Sequence, residues 1–373
     1  MEGGTSLRIL AVYPPGLERL GQAELAALGI KGRALAGGVE FRGDLKTLYL
    51  VNLASRLANR LLVRVADFRA RSLKEYEDRI SRYPWELYIP EGDGVKIRVT
   101  SLRSALYHEG AVAERTLRGI CRRLKRSVSP GSGQTVVVRI ERSHCLVSLD
   151  SSGGLLCQRG WRLAKGPAPL RENLAAALIL LSGWQTQTPL VDPFCGAGTI
   201  AIEAALMALG RPPGERRSFA FERWKNFSPQ LWQKVKELFR PQGLAPKTKI
   251  IAGDHDPKAL AAARDNASRA KVAERITFVQ TDFSRIHLPG RPGAIVTNPP
   301  YGRLVHPAEN LKSLYHRFGS WLKRKAPGWS VALLSPWQEL GEIMGISLEP
   351  IANFPHGGQR VWVLKGIIAS REI

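Results

Sequence analysis

Leu190-Val191-Asp192-Pro193-Phe194-Cys195-Gly196-Ala197-Gly198-Thr199 decides how this chain is read. Leu190 to Asp192 is a short apolar run that ends in a carboxylate, and a helix is predicted to begin near Thr199. Two glycines lie between them, where a buried strand gives way to a helix and backbone can approach a ligand closely at the carboxyl end of a sheet. The stretch is not the G-x-G-x-x-G of dinucleotide folds. It is not a P-loop either, because no Lys-Ser/Thr follows the glycines. A glycine turn after a strand has structural uses of its own, so its meaning rests on the strands around it.

Short apolar runs at 190–192, 250–254, 277–282, 294–298 and 329–334, separated by helical stretches, predict a parallel sheet covered on both faces. Pro355-His356-Gly357-Gly358 leads into 361–368, read as a closing antiparallel strand. Three further strand ends carry polar residues: Asp254 in Gly253-Asp254-His255-Asp256-Pro257, Asp282 in Thr281-Asp282-Phe283, and Asn298 in Asn298-Pro299-Pro300-Tyr301. Adjacent parallel strands bring all of these to one rim with Asp192. There a carboxylate after the second strand can hold ribose hydroxyls, and one after the third can accept from an adenine amino group. Taken singly, each Asp reads as a cap or turn former; the ordered set favours a ligand site. Asp254 is preferred to Asp256 for the ribose because it ends the strand directly.

Upstream, 7–13 alternates as a strand, Pro14 and Pro15 open a helix with Leu17, Leu20, Leu25 and Leu28 on one face, and Gly29 closes it. A second strand is read at 39–42, and Asp44 is the N-cap of a helix through Leu57, which makes a small βαβα unit. A strand at 61–68, a charged helix at 72–82, a strand at 95–100, a helix at 111–127 and a hairpin-like pair around 136–149 imply a second α/β module. Gly and Pro in the run 162–169 mark a linker. The chain is therefore divided at 1–60, 61–160 and 161–373.

Of 373 residues, 55 are Lys or Arg and 32 Asp or Glu, a net charge of +23 that points to a polyanionic partner. Cutting at residue 165 gives 28 basic and 16 acidic residues before (+12) and 27 and 16 after (+11), so both halves are basic. In the helix at 111–127, Arg115, Arg118, Arg122 and Arg126 share one face, with Leu117, Ile120, Cys121 and Leu124 centred opposite. Solubility alone does not call for four arginines in register, and they are read as an RNA-phosphate contact. No apolar stretch approaches bilayer length, and the amino terminus carries no secretory signal pattern, which predicts a cytoplasmic protein. Four cysteines without a C-x-x-C pair and seven histidines without ligand spacing point to no metal. Cys195 has no neighbouring base and is read as packing.

These motifs resemble the class I S-adenosylmethionine-dependent methyltransferases that carry Asn-Pro-Pro-Tyr, in particular the THUMP-domain guanine-N2 RNA methyltransferases. The resemblance extends over nearly the whole chain. Residues 48–62 look like the stretch leading into a THUMP domain and 101–124 like its RNA-binding end, while 162–184 looks like the entry to the catalytic domain. Phe219-Ala220-Phe221-Glu222-Arg223-Trp224 is similar to an insertion typical of the group that methylates 23S ribosomal RNA. Two departures are visible: Ala197 stands where a serine is expected, and the loop after Tyr301, Gly302-Arg303-Leu304, is one residue short.

The resemblance implies a Rossmann-like domain with a seven-stranded mixed sheet, preceded by a ferredoxin-like unit and a THUMP domain. It implies S-adenosyl-L-methionine as cofactor, held by Asp192, Pro193, Phe194, Gly196, Gly198, Thr199, Asp254, His255, Asp282, Phe283 and Asn298. Catalysis falls to Asn298, Pro299, Pro300 and Tyr301. An exocyclic amine is a poor nucleophile because its lone pair is delocalised, so placement must do most of the work. The Asn298 side-chain oxygen and the Pro299 carbonyl would accept the amine hydrogens, and Tyr301 would stack on an extruded guanine. The expected partner is structured RNA, 23S ribosomal RNA in preference to transfer RNA. The competing reading is an RNA-binding assembly factor with a decayed catalytic domain, against which the complete rim motifs count.

Overall fold

The computed structural model describes residues 6–163, 170–239, 248–301 and 308–369. These fall into two compact units: the described residues within 6–13, 21–156 and 217–238 form the first, and those within 14–20, 157–216 and 239–369 the second.

The first unit is built on strands β1 (Leu7–Val12), β2 (Gly32–Leu35), β3 (Gly38–Gly43), β4 (Arg60–Arg69), β5 (Val95–Leu102), β6 (Gln134–Glu141) and β7 (His144–Asp150). They form one sheet in the order β2-β3-β1-β4-β7-β6-β5. Its helices are α1 (Glu18–Ala27) from Gly21 onward, α2 (Leu45–Ala54), α3 (Leu73–Ile80) and α4 (Glu109–Leu124). Asp44 caps α2 as the sequence predicts, its carboxylate accepting from the Thr47 N–H at 2.8 Å. The expected boundary at 60/61 runs through the amino end of β4, which pairs antiparallel with β1 on one side and β7 on the other. Residues 217–238, assigned by sequence to the catalytic portion, pack here instead. The cause is aromatic: Phe221 stacks on Tyr49 at 4.5 Å, Trp232 meets Phe219 and Phe221 edge-on at 5.7 and 5.4 Å, and the Ser228 N–H donates to the Tyr49 hydroxyl at 3.1 Å.

The second unit contains α5 (Glu172–Ser182), β8 (Leu190–Asp192), α6 (Thr199–Ala208), β9 (Ile250–Asp254), α8 (Pro257–Ala270) and β10 (Ile276–Gln280). α7 (Pro229–Glu237) intervenes in sequence but belongs to the first unit. After β10 come β11 (Ala294–Thr297), α9 (Ala308–Lys325), β12 (Ser330–Ser335), α10 (Leu340–Met344), β13 (Glu349–His356) and β14 (Gln359–Ile367). The sheet runs β10-β9-β8-β11-β12-β14-β13. Its first five strands are parallel, while β14 is antiparallel to β12 and β13 to β14, the expected mixed seven-stranded sheet. The order reverses between β8 and β11. Such a switch point opens a crevice at the carboxyl ends of the strands, because the connections on either side leave to opposite faces.

Candidate active site at the carboxyl rim of the second sheet

Asp192 ends β8 at this switch point and is 1% exposed. Its Oδ1 accepts from the Thr297 hydroxyl at 2.7 Å, across the crevice at the end of β11, and from the Phe194 N–H at 3.2 Å. Burial pushes its carboxyl up to about 7; Thr297 and the Phe194 N–H oppose the rise and Asp254 adds to it. Asp192 thus ties two strand ends together beneath the rim. Pro193 is buried beside it and Phe194 half-buried.

The following turn works as its glycines predict. Gly196 has φ +51° and Gly198 φ +80°, the left-handed region in which a side chain is strained. The Gly196 N–H donates to Asp254 Oδ2 at 2.9 Å, joining the ends of β8 and β9. A Cβ built on Gly196 meets no atom within 4 Å, so open space adjoins the turn beside that carboxylate. Thr199 is buried, and the guanidinium of Arg162 donates to its hydroxyl and to the Leu170 carbonyl. Cys195 is 6% exposed, with its thiol raised well above the usual range by burial and by Asp192 and Asp254, which suits a packing residue.

At the end of β9, the Asp254 side chain is 13% exposed, and its neighbour His255 turns outward at 73%. Asp256 is committed to α8, accepting from the Lys258 N–H at 2.9 Å as N-cap. Asp254 therefore has the rim position that the strand end predicted. Asp282 accepts from the Ser284 hydroxyl at 2.5 Å and from Arg317 at 3.1 and 3.2 Å. Burial alone would raise its carboxyl, but the Ser284 bonds and Arg317 hold it below the ordinary value. Phe283 is 3% exposed and belongs to the core rather than to an open pocket wall, with Phe194 at 5.4 Å and Phe318 at 5.3 Å.

The loop after β11 holds two unusual polar atoms. Among the described residues, Asn298 Oδ1 and the Tyr301 hydroxyl are buried with no hydrogen-bond partner, a costly state that a native site keeps for a ligand or for water. Burial raises the Tyr301 hydroxyl above its ordinary pKa. Pro299 and Pro300 contribute no N–H. The loop is fixed from α9, where the Tyr315 hydroxyl donates to the Pro300 carbonyl at 2.8 Å. Tyr315, Arg317 and Thr297 were not singled out from sequence, because an aromatic and a cation on an amphipathic helix and a strand threonine carry no local signal. Residues 302–304, the shortened loop, lie outside the described residues, as does most of the 162–169 linker.

The arginine stripe sits elsewhere, on α4 of the first unit. Its residues are engaged within the protein: Arg115 with Glu77 at 2.9 Å, Arg118 with Glu114 at 2.5 Å, Arg122 with Asp78 at 2.9 Å, and Arg126 with the Pro90 carbonyl at 2.7 Å. The face it was expected to oppose is also corrected. Val112, Thr116, Gly119 and Ile120 are buried, not Leu117, Cys121 and Leu124. That rotates the buried face by roughly 100° at 100° per residue, so the stripe flanks the α3 contact instead of facing away from it. Gly119 allows the approach, since a Cβ there would meet Ile80 Cγ2 at 2.7 Å. Among the described residues no cluster of three or more His, Cys, Asp or Glu could hold a metal, and no helix is long and apolar enough to cross a membrane.

The strand order, the glycine turn after β8 and the polar rim define a class I, Rossmann-like methyltransferase domain. The chain belongs to the RMKL-like methyltransferase-domain family, whose model matches residues 159–353, and an RlmL ferredoxin-like domain model matches 8–62. It is 36% identical to "Ribosomal RNA large subunit methyltransferase K/L" of Methylococcus capsulatus over 90% of this chain and 48% of that protein, so it spans about half the length of that relative. A Synechocystis protein named provisionally as an RNA methyltransferase is 33% identical, with 97% of each chain covered. The crystal structure of SMU.472, a provisionally assigned methyltransferase complexed with SAH, superimposes with a TM-score of 0.88 at 26% identity, covering 99% of both chains.

Proposed function

We propose that this protein transfers a methyl group from S-adenosyl-L-methionine to the N2 exocyclic amine of a guanine in structured RNA, with 23S ribosomal RNA as the favoured substrate. The observation that carries the reading is Asn298 Oδ1 at the end of β11, buried and without a partner among the described residues. An amine N–H supplies the donor it lacks.

The cofactor fits the rim. Asp254 keeps acceptor capacity for ribose hydroxyls beside the open space at Gly196, and Asp282 would face an adenine amino group once Arg317 yields or shifts. When bound, the cofactor supplies an electrophilic methyl group on a sulfonium. The protein's own work is placement: Asn298 Oδ1 and the Pro299 carbonyl accept the two amine hydrogens, which turns the nitrogen lone pair outward and stabilises positive charge developing on nitrogen. The absence of N–H groups at Pro299 and Pro300 leaves no competing donor, and Tyr315 holds the Pro300 carbonyl in place. The Tyr301 ring stacks on the extruded base, which offsets part of the cost of flipping. Residues 61–160 act as a THUMP module that, with the +12 charge of the amino-terminal half, holds the RNA in the cytoplasm where ribosomes are assembled.

Nucleoside mass spectrometry of ribosomal and transfer RNA from a deletion strain should show N2-methylguanosine missing from 23S RNA. Loss from transfer RNA alone would move the substrate. Tritium transfer from labelled cofactor into that RNA should fall by at least 100-fold in Asn298→Ala while cofactor affinity is kept. An unchanged rate would overturn the role of Asn298.

A further inference from the structure

One large aromatic ring projects from the rim of the second unit without a part in the chemistry above: Trp337, 40% exposed. It follows β12, the parallel neighbour of β11, and the register aligns Thr297 with Leu333. Tyr301 lies four residues beyond Thr297 and Trp337 four beyond Leu333, so both aromatic residues follow the carboxyl ends of adjacent parallel strands. The backbone of Trp337 is pinned. Its N–H donates to Ser335 Oγ at 2.9 Å, and the Ser335 hydroxyl donates to its carbonyl at 2.7 Å. Its ring meets Tyr315 edge-on, 6.3 Å between centroids at 84°, and Tyr315 is the residue that holds the Pro300 carbonyl. Two other indoles of this unit, Trp321 and Trp329, are 1% and 3% exposed within the core. Trp337 alone of these three presents its ring to solvent beside the catalytic loop.

We propose that Trp337 is the stacking platform for the nucleobase next to the target guanine, a substrate-positioning role that rests on the RNA reading above. A base extruded from its stack exposes the face of its neighbour. A rigid indole at the mouth covers that face. Stacking of this kind tolerates any base, because every base has a π-face, so Trp337 would set affinity and strand placement without imposing flanking sequence. The backbone lock at Ser335 and the edge contact with Tyr315 fix the ring before RNA arrives, which reduces the ordering cost of binding.

The test uses the full chain, a fluorescein-labelled single-stranded RNA octanucleotide containing guanine, and anisotropy. Trp337→Ala and Trp337→Leu should each weaken binding by roughly 5- to 150-fold, the worth of one stacked base. Trp337→Phe should keep most of the affinity, and calorimetry should give all three variants the cofactor affinity of the wild type. Wild-type affinity in Trp337→Ala, a Leu variant as good as Phe, or no measurable binding by the wild type would each overturn the proposal. Methyl transfer by the wild type is measured separately. Its absence from every RNA overturns the guanine-N2 reading, while loss of binding in Trp337→Ala with retention in Trp337→Phe would still support the platform.

Discussion

Asp192→Asn should make the protein more stable at neutral pH and leave it unchanged in mild acid. The wild-type carboxyl is held at about 7 against an ordinary value of 3.8. Between those two values the folded protein keeps a proton that the unfolded chain has released, so stability falls as pH rises and the loss is complete above about pH 7. At about 1.4 kcal/mol per pH unit, a span of about three units gives a penalty of roughly 4 kcal/mol. The hydrogen bonds make Asn a good mimic of the protonated acid. Both donors, Thr297 Oγ and the Phe194 N–H, converge on Oδ1, so an amide oxygen there accepts both while the amide nitrogen takes the place of the protonated oxygen. The assay is urea unfolding followed by tryptophan fluorescence on cofactor-free protein at intervals from pH 4.5 to 8.5. Taking the difference between variant and wild type at each pH cancels the other titrating groups. The difference should start near zero and grow to several kcal/mol in favour of Asn by pH 8. A difference that stays constant across the range would refute the buried, raised carboxyl.

Two further substitutions test the rim. Asp254→Ala should weaken S-adenosylmethionine binding at least 10-fold by calorimetry, whereas Asp256→Ala should cost only about 1 kcal/mol of stability as a lost helix cap and leave affinity alone. The reverse pattern would exchange their roles. Tyr315→Phe keeps the ring in its packing and removes one hydroxyl, so kcat should fall several-fold with little change in cofactor affinity; unchanged kcat would mean that the Pro300 carbonyl is held without it.

The strands that build the rim were legible because parallel strands covered on both faces read as apolar runs, and four of the five runs stop at an Asp or Asn, 329–334 being the exception. β2 and β13 were missed for the complementary reason. Each is an edge strand, paired on one side only, and each departs from the pattern: Gly32-Arg33-Ala34-Leu35 is short, and Glu349 to His356 contains Pro350 and Pro355 and is exposed over its first three residues. Asp192 illustrates a different limit. Its residue type and place at the strand end were readable, but nothing local says that its carboxylate is turned beneath the rim toward Thr297. The same holds for residues 217–238: their aromatic content is plain in the sequence, but the partner that receives them, Tyr49, lies about 170 residues away.

The arginine stripe shows why a charge pattern alone does not locate an RNA contact. Counting guanidinium groups on one helical face measures how much positive charge is available, but the structure spends part of it on Glu77, whose carboxylate lies 2.9 Å from Arg115 and 3.6 Å from Arg122. An ion pair of this exposure contributes little net stability, so phosphate can compete for the same guanidinium at small cost. The two uses are separable through the acid rather than through the arginines. Arg122→Ala would remove packing and phosphate contact together and decide nothing. Glu77→Gln leaves both arginines in place and raises the local charge by one. If the stripe meets RNA, binding should tighten a few-fold, and the slope of log affinity against log salt should steepen by up to about 0.9, the release expected for one more neutralised phosphate. If the stripe serves only to hold α3 against α4, thermal stability should drop slightly while RNA affinity and its salt slope stay as they are.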